Sequence, residues 1–197
     1  MAILIGYVKD GTVYLATDTR INVDDRVHQR VAESDYKIKR LENGILVAMT
    51  SRERALVDQT MMRTELFTLD KKGRLTKDHI IKEIFPRLYR FYKEEGFLGN
   101  EKGEDPYFRG SILIAHEGDL FEICSTFSVA RYMHYQALGS VSDLALYGLT
   151  KIDESKDINA QLVEIMETMA KHSQMIGAPY LLINTKDLEY HLLGGKA

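Results

Sequence analysis

The first twenty positions carry the clearest hydrophobic pattern in the chain. Ile3, Ile5 and Tyr7 alternate with Leu4, Gly6 and Val8, and Val13, Leu15 and Thr17 resume the same period beyond Asp10-Gly11. A period of two in β-favourable residues predicts strands. Asp-Gly suits a primed two-residue turn, which needs positive φ. Met1 to Arg20 therefore reads as a β-hairpin whose first strand starts at the first residue. A polar turn follows at Asn22-Val23-Asp24-Asp25-Arg26, and a strand is expected over Val31 to Leu41. Glu42-Asn43-Gly44 is a second hairpin signal, leading into Ile45-Leu46-Val47-Ala48, a continuous apolar run of the kind found in buried strands.

The period then lengthens. Thr50-x-x-Glu53 has the form of a capping box, and Ala55, Leu56, Met62, Leu66 and Phe67 partly fill one helical face before Gly73 breaks it. Ile80, Ile81, Ile84, Leu88, Phe91 and Tyr92 predict a second helix from Thr76 or Lys77 to about Tyr92, kinked or cut short at Pro86. Glu94 to Arg109 reads as an exposed loop, and Tyr107 to Ala115 and Asp119 to Ser125 read as strands joined at His116-Glu117-Gly118. Ser140 to Leu149 predicts a short helix, with Ser140 a candidate N-cap. Asp157 to His172 is a strong amphipathic pattern with Asp157 as its cap, and Tyr180 to Asn184 and Glu189 to Leu193 make a closing strand pair. Strands alternating with helix pairs predict an α+β domain of stacked antiparallel sheets covered by helices.

Composition narrows the function classes. The 197 residues suffice for one core, so a single domain over 1–197 is expected. The net charge of −3, with no Lys/Arg stripe, argues against a nucleic-acid partner. The single Cys124 excludes an intramolecular disulfide framework and fits a reducing compartment. No apolar run is long enough for a membrane span or a signal peptide, so a cytoplasmic protein is expected. His28, His116, His134 and His172 lack metal-ligand spacing, and no metal or cofactor is expected. Tyr132, Met133 and Tyr135 read as packing residues.

Several segments, in order, resemble the proteasome subunits and the HslV peptidase, members of the N-terminal nucleophile (Ntn) hydrolases. They are Gly6 to Gly11 with Leu15-Ala-Thr-Asp-Thr-Arg20, Tyr36-Lys-Ile-Lys-Arg-Leu41, Gly110 to Ala115 with Asp119 to Ile123, and Ala137-Leu-Gly-Ser-Val-Ser142 followed by Tyr147-Gly148-Leu149. The resemblance implies a four-layer αββα sandwich and, in the family, a threonine-type endopeptidase. There an N-terminal hydroxyl attacks a peptide carbonyl, the α-amine acts as base, a lysine held by an aspartate favours the ionised nucleophile, and backbone N–H groups hold the oxyanion. Carried onto this chain, Asp18 matches the aspartate, Arg20 the arginine, Lys37 the catalytic lysine and Ser140 the supporting serine.

The nucleophile position falls on Ala2, which has no hydroxyl. His172 and Met175 stand where the family has a supporting Asp and Ser, and Met49-Thr50-Ser51 replaces its glycine-rich oxyanion turn. The resemblance therefore implies a pseudoenzyme acting structurally or as a regulator through self-assembly, as a homo-oligomer that can form a ring. Two rivals stand beside it: an amide or peptide hydrolase with an altered mechanism, and a module that binds a peptide or protein ligand in the old cleft. Gly11-Thr12 looks like a propeptide junction, but cutting there would remove the first strand and spoil the Asp18 and Lys37 spacings. Cys124 is the other alternative nucleophile, in a strand-like run where a lone cysteine usually acts as a small hydrophobe.

Overall fold

The computed structural model describes residues 3–23, 26–29, 32–99 and 106–194, with the side chains of 21–31 left aside. Strands β1 (Ile3–Lys9) and β2 (Thr12–Asp18) form the expected hairpin, with Asp10 at φ 49° and Gly11 at φ 71°, both in the left-handed region a primed turn requires. A second hairpin, β3 (Arg20–Val23) with β4 (Arg26–Gln29), extends to both sides of the expected polar turn. Next come β5 (Ile38–Arg40), β6 (Leu46–Ser51) and helix α1 (Arg54–Met62). The second helical segment is α2 (Lys77–His79), a π-helical turn over Ile80–Ile84, and α3 (Phe85–Glu94). Short strands β7 (Leu98–Gly99) and β8 (Tyr107–Phe108) precede β9 (Gly110–His116), β10 (Asp119–Ile123), β11 (Val129–Tyr132) and β12 (Tyr135–Gly139). The chain continues with α4 (Ser142–Leu149), α5 (Ile158–His172), β13 (Tyr180–Asn184) and β14 (His191–Leu193).

Two five-stranded antiparallel sheets result, ordered β12-β1-β2-β13-β14 and β11-β10-β9-β6-β5. Alternation explains how they stack. Ile3, Ile5 and Tyr7 of β1 join Leu162, Met166 and Met169 of α5 in one apolar layer. Val47, Met49, Ile112 and Ile114 join Leu56 of α1 and Leu88 of α3 in another. Between the sheets, Leu4, Leu15 and Leu181 of one meet Ala48, Leu113 and Leu120 of the other. Each central strand is apolar on both faces because each sheet is covered on both. The order is helices, sheet, sheet, helices, the expected αββα sandwich.

Several local expectations are corrected. Of the strand expected over Val31 to Leu41, Val31 lies outside the described residues and, from residue 32 on, only Ile38–Arg40 is strand; the polar Glu33–Asp35 makes a 3-10 turn whose carbonyls at Glu33 and Ser34 accept from Lys39 Nζ. The Thr50 capping box does not form, because Thr50 belongs to β6; Ser51 Oγ instead accepts from Glu53 N at 2.9 Å. Met62 is 79% exposed, so it is not on the buried face, and the helix stops there before a 3-10 turn at Thr64–Leu66. Ser140 is not an N-cap: α4 starts after Val141 with no side-chain cap, whereas Asp157 caps α5 as expected, accepting from Ala160 N at 2.7 Å.

Pro86 neither ends nor splits its helix. It lacks the N–H that would bond Lys82 O, and the π turn just before it, closed by Phe85 N to Ile80 O, absorbs the misfit. Strands β11 and β12, which the hydrophobic pattern did not predict, carry the chain from one sheet to the other. Their linker leaves Met133 64% exposed rather than packed. Tyr132 donates to Glu122 Oε2 at 2.8 Å, and Tyr135 stacks on Tyr7 with centroids 6.4 Å apart.

Candidate functional site

The first strand and the end of the second meet at one edge of the sandwich. Leu4 pairs with Thr17, so the start of β1 lies beside Asp18, and Tyr180 pairs with Asp18 on the other side. Gly139 pairs with Ile3, bringing the end of β12 to the same edge. In the facing sheet Ile38 pairs with Ala48, which sets Lys37 at the edge where β6 ends. Five separate stretches of sequence thus converge because both sheets end there.

The centre of this edge is an ion pair. Lys37 Nζ lies 2.8 Å from Asp18 Oδ1, with Lys37 only 5% and Asp18 0% exposed. Asp18 also accepts from Ile3 N at 3.3 Å and from Arg20 N at 3.1 Å, and Lys37 donates to Arg20 O at 2.6 Å. Thr17 Oγ1 donates to Ile3 O at 2.7 Å, so the first described residue of β1 is held through both backbone groups. Burial pushes the Asp18 carboxyl above the ordinary carboxylate range, while the Lys37 ammonium and the two backbone N–H groups pull it back down. The pair thus sets a cation one carboxylate away from Ile3 N, at the start of β1. Ala2 itself lies outside the described residues.

Arg20 ties a second segment to this edge. Its guanidinium donates to Gln174 O at 3.2 Å and to Ile176 O at 3.1 Å, and Thr19 Oγ1 donates to Pro179 O at 2.8 Å. Gly177 makes the approach possible: a Cβ there would lie 2.1 Å from Arg20 Cζ. His172 ends α5 and is exposed, and Met175 lies in the loop that Arg20 grips. Gly177→Ala should expel the guanidinium and cost about 1.5–3 kcal/mol, the range for hydrogen bonds to a charged group. Denaturant melts of Gly177→Ala, Arg20→Ala and the double variant check this. The double should be little worse than Arg20→Ala alone, since both remove the same contact.

Of the sequence-derived site residues, Asp18 and Lys37 are in contact. Ser140 is exposed, follows Gly139 at the same edge, and bonds to neither of them. Thr12 is the first residue of β2, opposite Lys9. Cys124 is half-buried just after β10; burial pushes its thiol up, against the thiolate a nucleophile needs. Among the described residues no group of three or more His, Cys, Asp or Glu could hold a metal ion. No helix among them is long and apolar enough to cross a membrane.

At the ends of β6 and β12 and the start of β9 is an open cleft of about 390 Å3 lined by Thr50, Ser51, Arg52, Arg109, Ser111 and Gly139, among others. Sequence reasoning missed both arginines as a unit. The pairing of Ser51 with Gly110 brings Arg52 and Arg109 together, and no local motif announces it.

Neither a protein-family model nor a curated protein matches the chain. Solved structures do. Thiobacillus denitrificans BPH superposes with a TM-score of 0.71 at 20% identity, over 96% of this chain and 99% of that one. BPH in complex with epoxomicin gives 0.69 at 20%, over 96% and 100%. Eukaryotic HslV from Trypanosoma brucei gives 0.60 at 16%, over 92% and 98%. The chain has the proteasome-like Ntn fold. The alignments run nearly end to end in both partners, so the Ntn fold accounts for the whole sandwich and not for one hairpin within it.

Proposed function

We propose that this protein is a proteasome-like Ntn-fold protein without threonine-peptidase activity, acting through self-assembly. One observation carries the reading: the Asp18–Lys37 pair stands bonded at the start of β1, while the residue in the nucleophile position is Ala2. The family's reaction needs an oxygen or sulfur at that point. His172 at the end of α5 and Met175 in the loop after it, in place of the family's acid and serine, support the same reading.

Self-assembly is supported by the outer helices. Tyr147 is 65% exposed on α4, beside a groove of about 320 Å3 between α4 and α5 that Leu144, Ile152 and Ile165 also line. Met62 and Ile81 are exposed on the opposite helical layer. Apolar side chains displayed on both outer faces suit contacts between copies in a homo-oligomer.

The test combines three measurements on the purified, untagged protein. Native mass spectrometry should give an oligomer. Fluorogenic peptides should release no product. Epoxomicin, found in complex with BPH, should leave the intact mass unchanged. Peptide hydrolysis abolished by Lys37→Ala, or a chain that starts at Thr12 and gains the epoxomicin mass, would overturn the loss of activity; a monomer would overturn the assembly role.

The open cleft favours a second, compatible reading: the edge retains ligand binding without the chemistry.

A further inference from the structure

β12 and β5 are end strands of their sheets, and among the described residues no strand lies beyond either. An end strand turns alternate N–H and C=O groups outward, ready to pair with another chain. In β12 the alternation is fixed by Val8 N, which donates to His134 O at 2.6 Å. Gly6–Gln136 and Leu4–Leu138 are then the bonded pairs with β1, and Tyr135, Ala137 and Gly139 turn their groups outward. The central residue of these is already engaged: Ala137 N donates to Gln136 Oε1 at 3.0 Å. The nitrogen of the same side-chain amide donates to Glu122 Oε2 and to the Tyr132 hydroxyl, both at 2.7 Å. Glu122 and Tyr132 belong to β10 and β11 of the facing sheet, and Glu122 is buried. The opposite sheet therefore pins the Gln136 amide with its oxygen turned to Ala137.

β5 is closed in the same way. Leu41 N donates to Ile45 O at 2.9 Å, so Lys39–Val47 is a bonded pair and Ile38 and Arg40 turn their groups outward. The Tyr190 hydroxyl accepts from Arg40 N at 2.8 Å and donates to Ile38 O at 3.3 Å, as the backbone of a neighbouring strand would. Tyr190 directly precedes β14 of the facing sheet, so each sheet takes part in closing an edge of the other.

We propose that Gln136 and Tyr190 are guards that hold the β12 and β5 edges shut, and that an edge released from its guard pairs with the same edge of a second copy of this chain. Register sets the partner. An antiparallel copy centred on Ala137 places Ala137 opposite Ala137 as a bonded pair, and Tyr135 opposite Gly139, large against small. A copy centred on Lys39 places Ile38 opposite Arg40. The inference rests on the self-assembly reading and adds its regulation: with these edges shut, copies meet through the outer helices.

Native mass spectrometry of the parent, Gln136→Leu, Tyr190→Phe and Tyr132→Phe across a wide concentration range tests this, with hydrogen exchange of the β12 amides. Gln136→Leu and Tyr190→Phe should each form species of at least twice the parent mass as concentration rises. Tyr132→Phe loosens the Gln136 amide from its nitrogen side but leaves the oxygen on Ala137 N, so it should keep the parent mass. In dilute Gln136→Leu the Ala137 amide should exchange about tenfold faster than in the parent, the loss of one hydrogen bond, and slow again as the larger species forms. Tyr190→Phe loses only a hydroxyl and keeps its ring against Tyr36, so the test stands even where Gln136→Leu does not fold. Parent mass in either folded guard variant at every concentration, equal growth in Tyr132→Phe, or an Ala137 amide as fast in the parent as in Gln136→Leu overturns the inference. The mass of the parent alone reads self-assembly: a monomeric parent would sink that reading, whereas unchanged variants of an oligomeric parent would sink only the guards.

Discussion

Asp18→Ala should destabilise the protein by about 3–5 kcal/mol, the usual cost of removing one partner from a buried ion pair. The residue left behind is Lys37, 5% exposed, with its ammonium beside Arg20 O and its bond to Asp18 gone. The variant also strands the Ile3 and Arg20 N–H groups that Asp18 accepts from. Urea denaturation at fixed protein concentration reads the effect as a drop in midpoint with the slope unchanged. The double variant Asp18→Ala/Lys37→Met should regain part of the loss, because it removes the buried ammonium that Asp18 answered but does not restore an acceptor to the two N–H groups. A single-variant cost below about 1 kcal/mol would mean a solvated pair rather than a buried one. This prediction concerns stability alone, so it holds whether or not the protein has any activity.

Phe108→Ala should cost about 3–5 kcal/mol, the range for deleting a large buried aromatic side chain. Phe108 is 0% exposed, and its ring centroid lies 5.0 Å from both Tyr92 and Phe127. Phe127 in turn contacts Phe85 at 5.2 Å and Tyr89 at 5.5 Å. This chain of rings fastens α3 to the sheet, so the loss should include much of the near-UV circular dichroism. Met62→Ala, at a side chain 79% exposed, is the control and should stay within about 0.5 kcal/mol of the parent.

The aromatic cluster also marks where sequence patterning runs out. Phe85, Tyr89 and Tyr92 could be placed on a helix from their spacing, but Phe108 and Phe127 come from a two-residue strand and a turn. Phe127 adopts φ 62°, a conformation no local rule assigns to phenylalanine. Strands β11 and β12 escaped for a related reason: Val129 to Gly139 buries only Val129 and Ala137 among exposed and half-buried residues, because these strands form sheet edges and the bridge between sheets. Pro86 shows the reverse. Its effect on the hydrogen-bond ladder was legible, but the response, a π turn rather than a break, was set by Ile80, Ile84 and Leu88, which all remain buried.

By itself, the sequence determined the first hairpin, the amphipathic α5 with its Asp157 cap, the central strands and hence the layered α+β plan. Each depends on periodicity and turn chemistry within a few neighbouring residues. It also supplied Ala2 at the position where the family's reaction needs a nucleophile. Only the tertiary structure decided that Asp18 and Lys37 touch at 2.8 Å out of water, that Arg20 grips the loop at Gln174 and Ile176, and that Arg52 and Arg109 face one cleft. Those facts depend on strand register and on the stacking of two sheets, which are fixed by contacts between residues far apart in the chain and leave no local period to read.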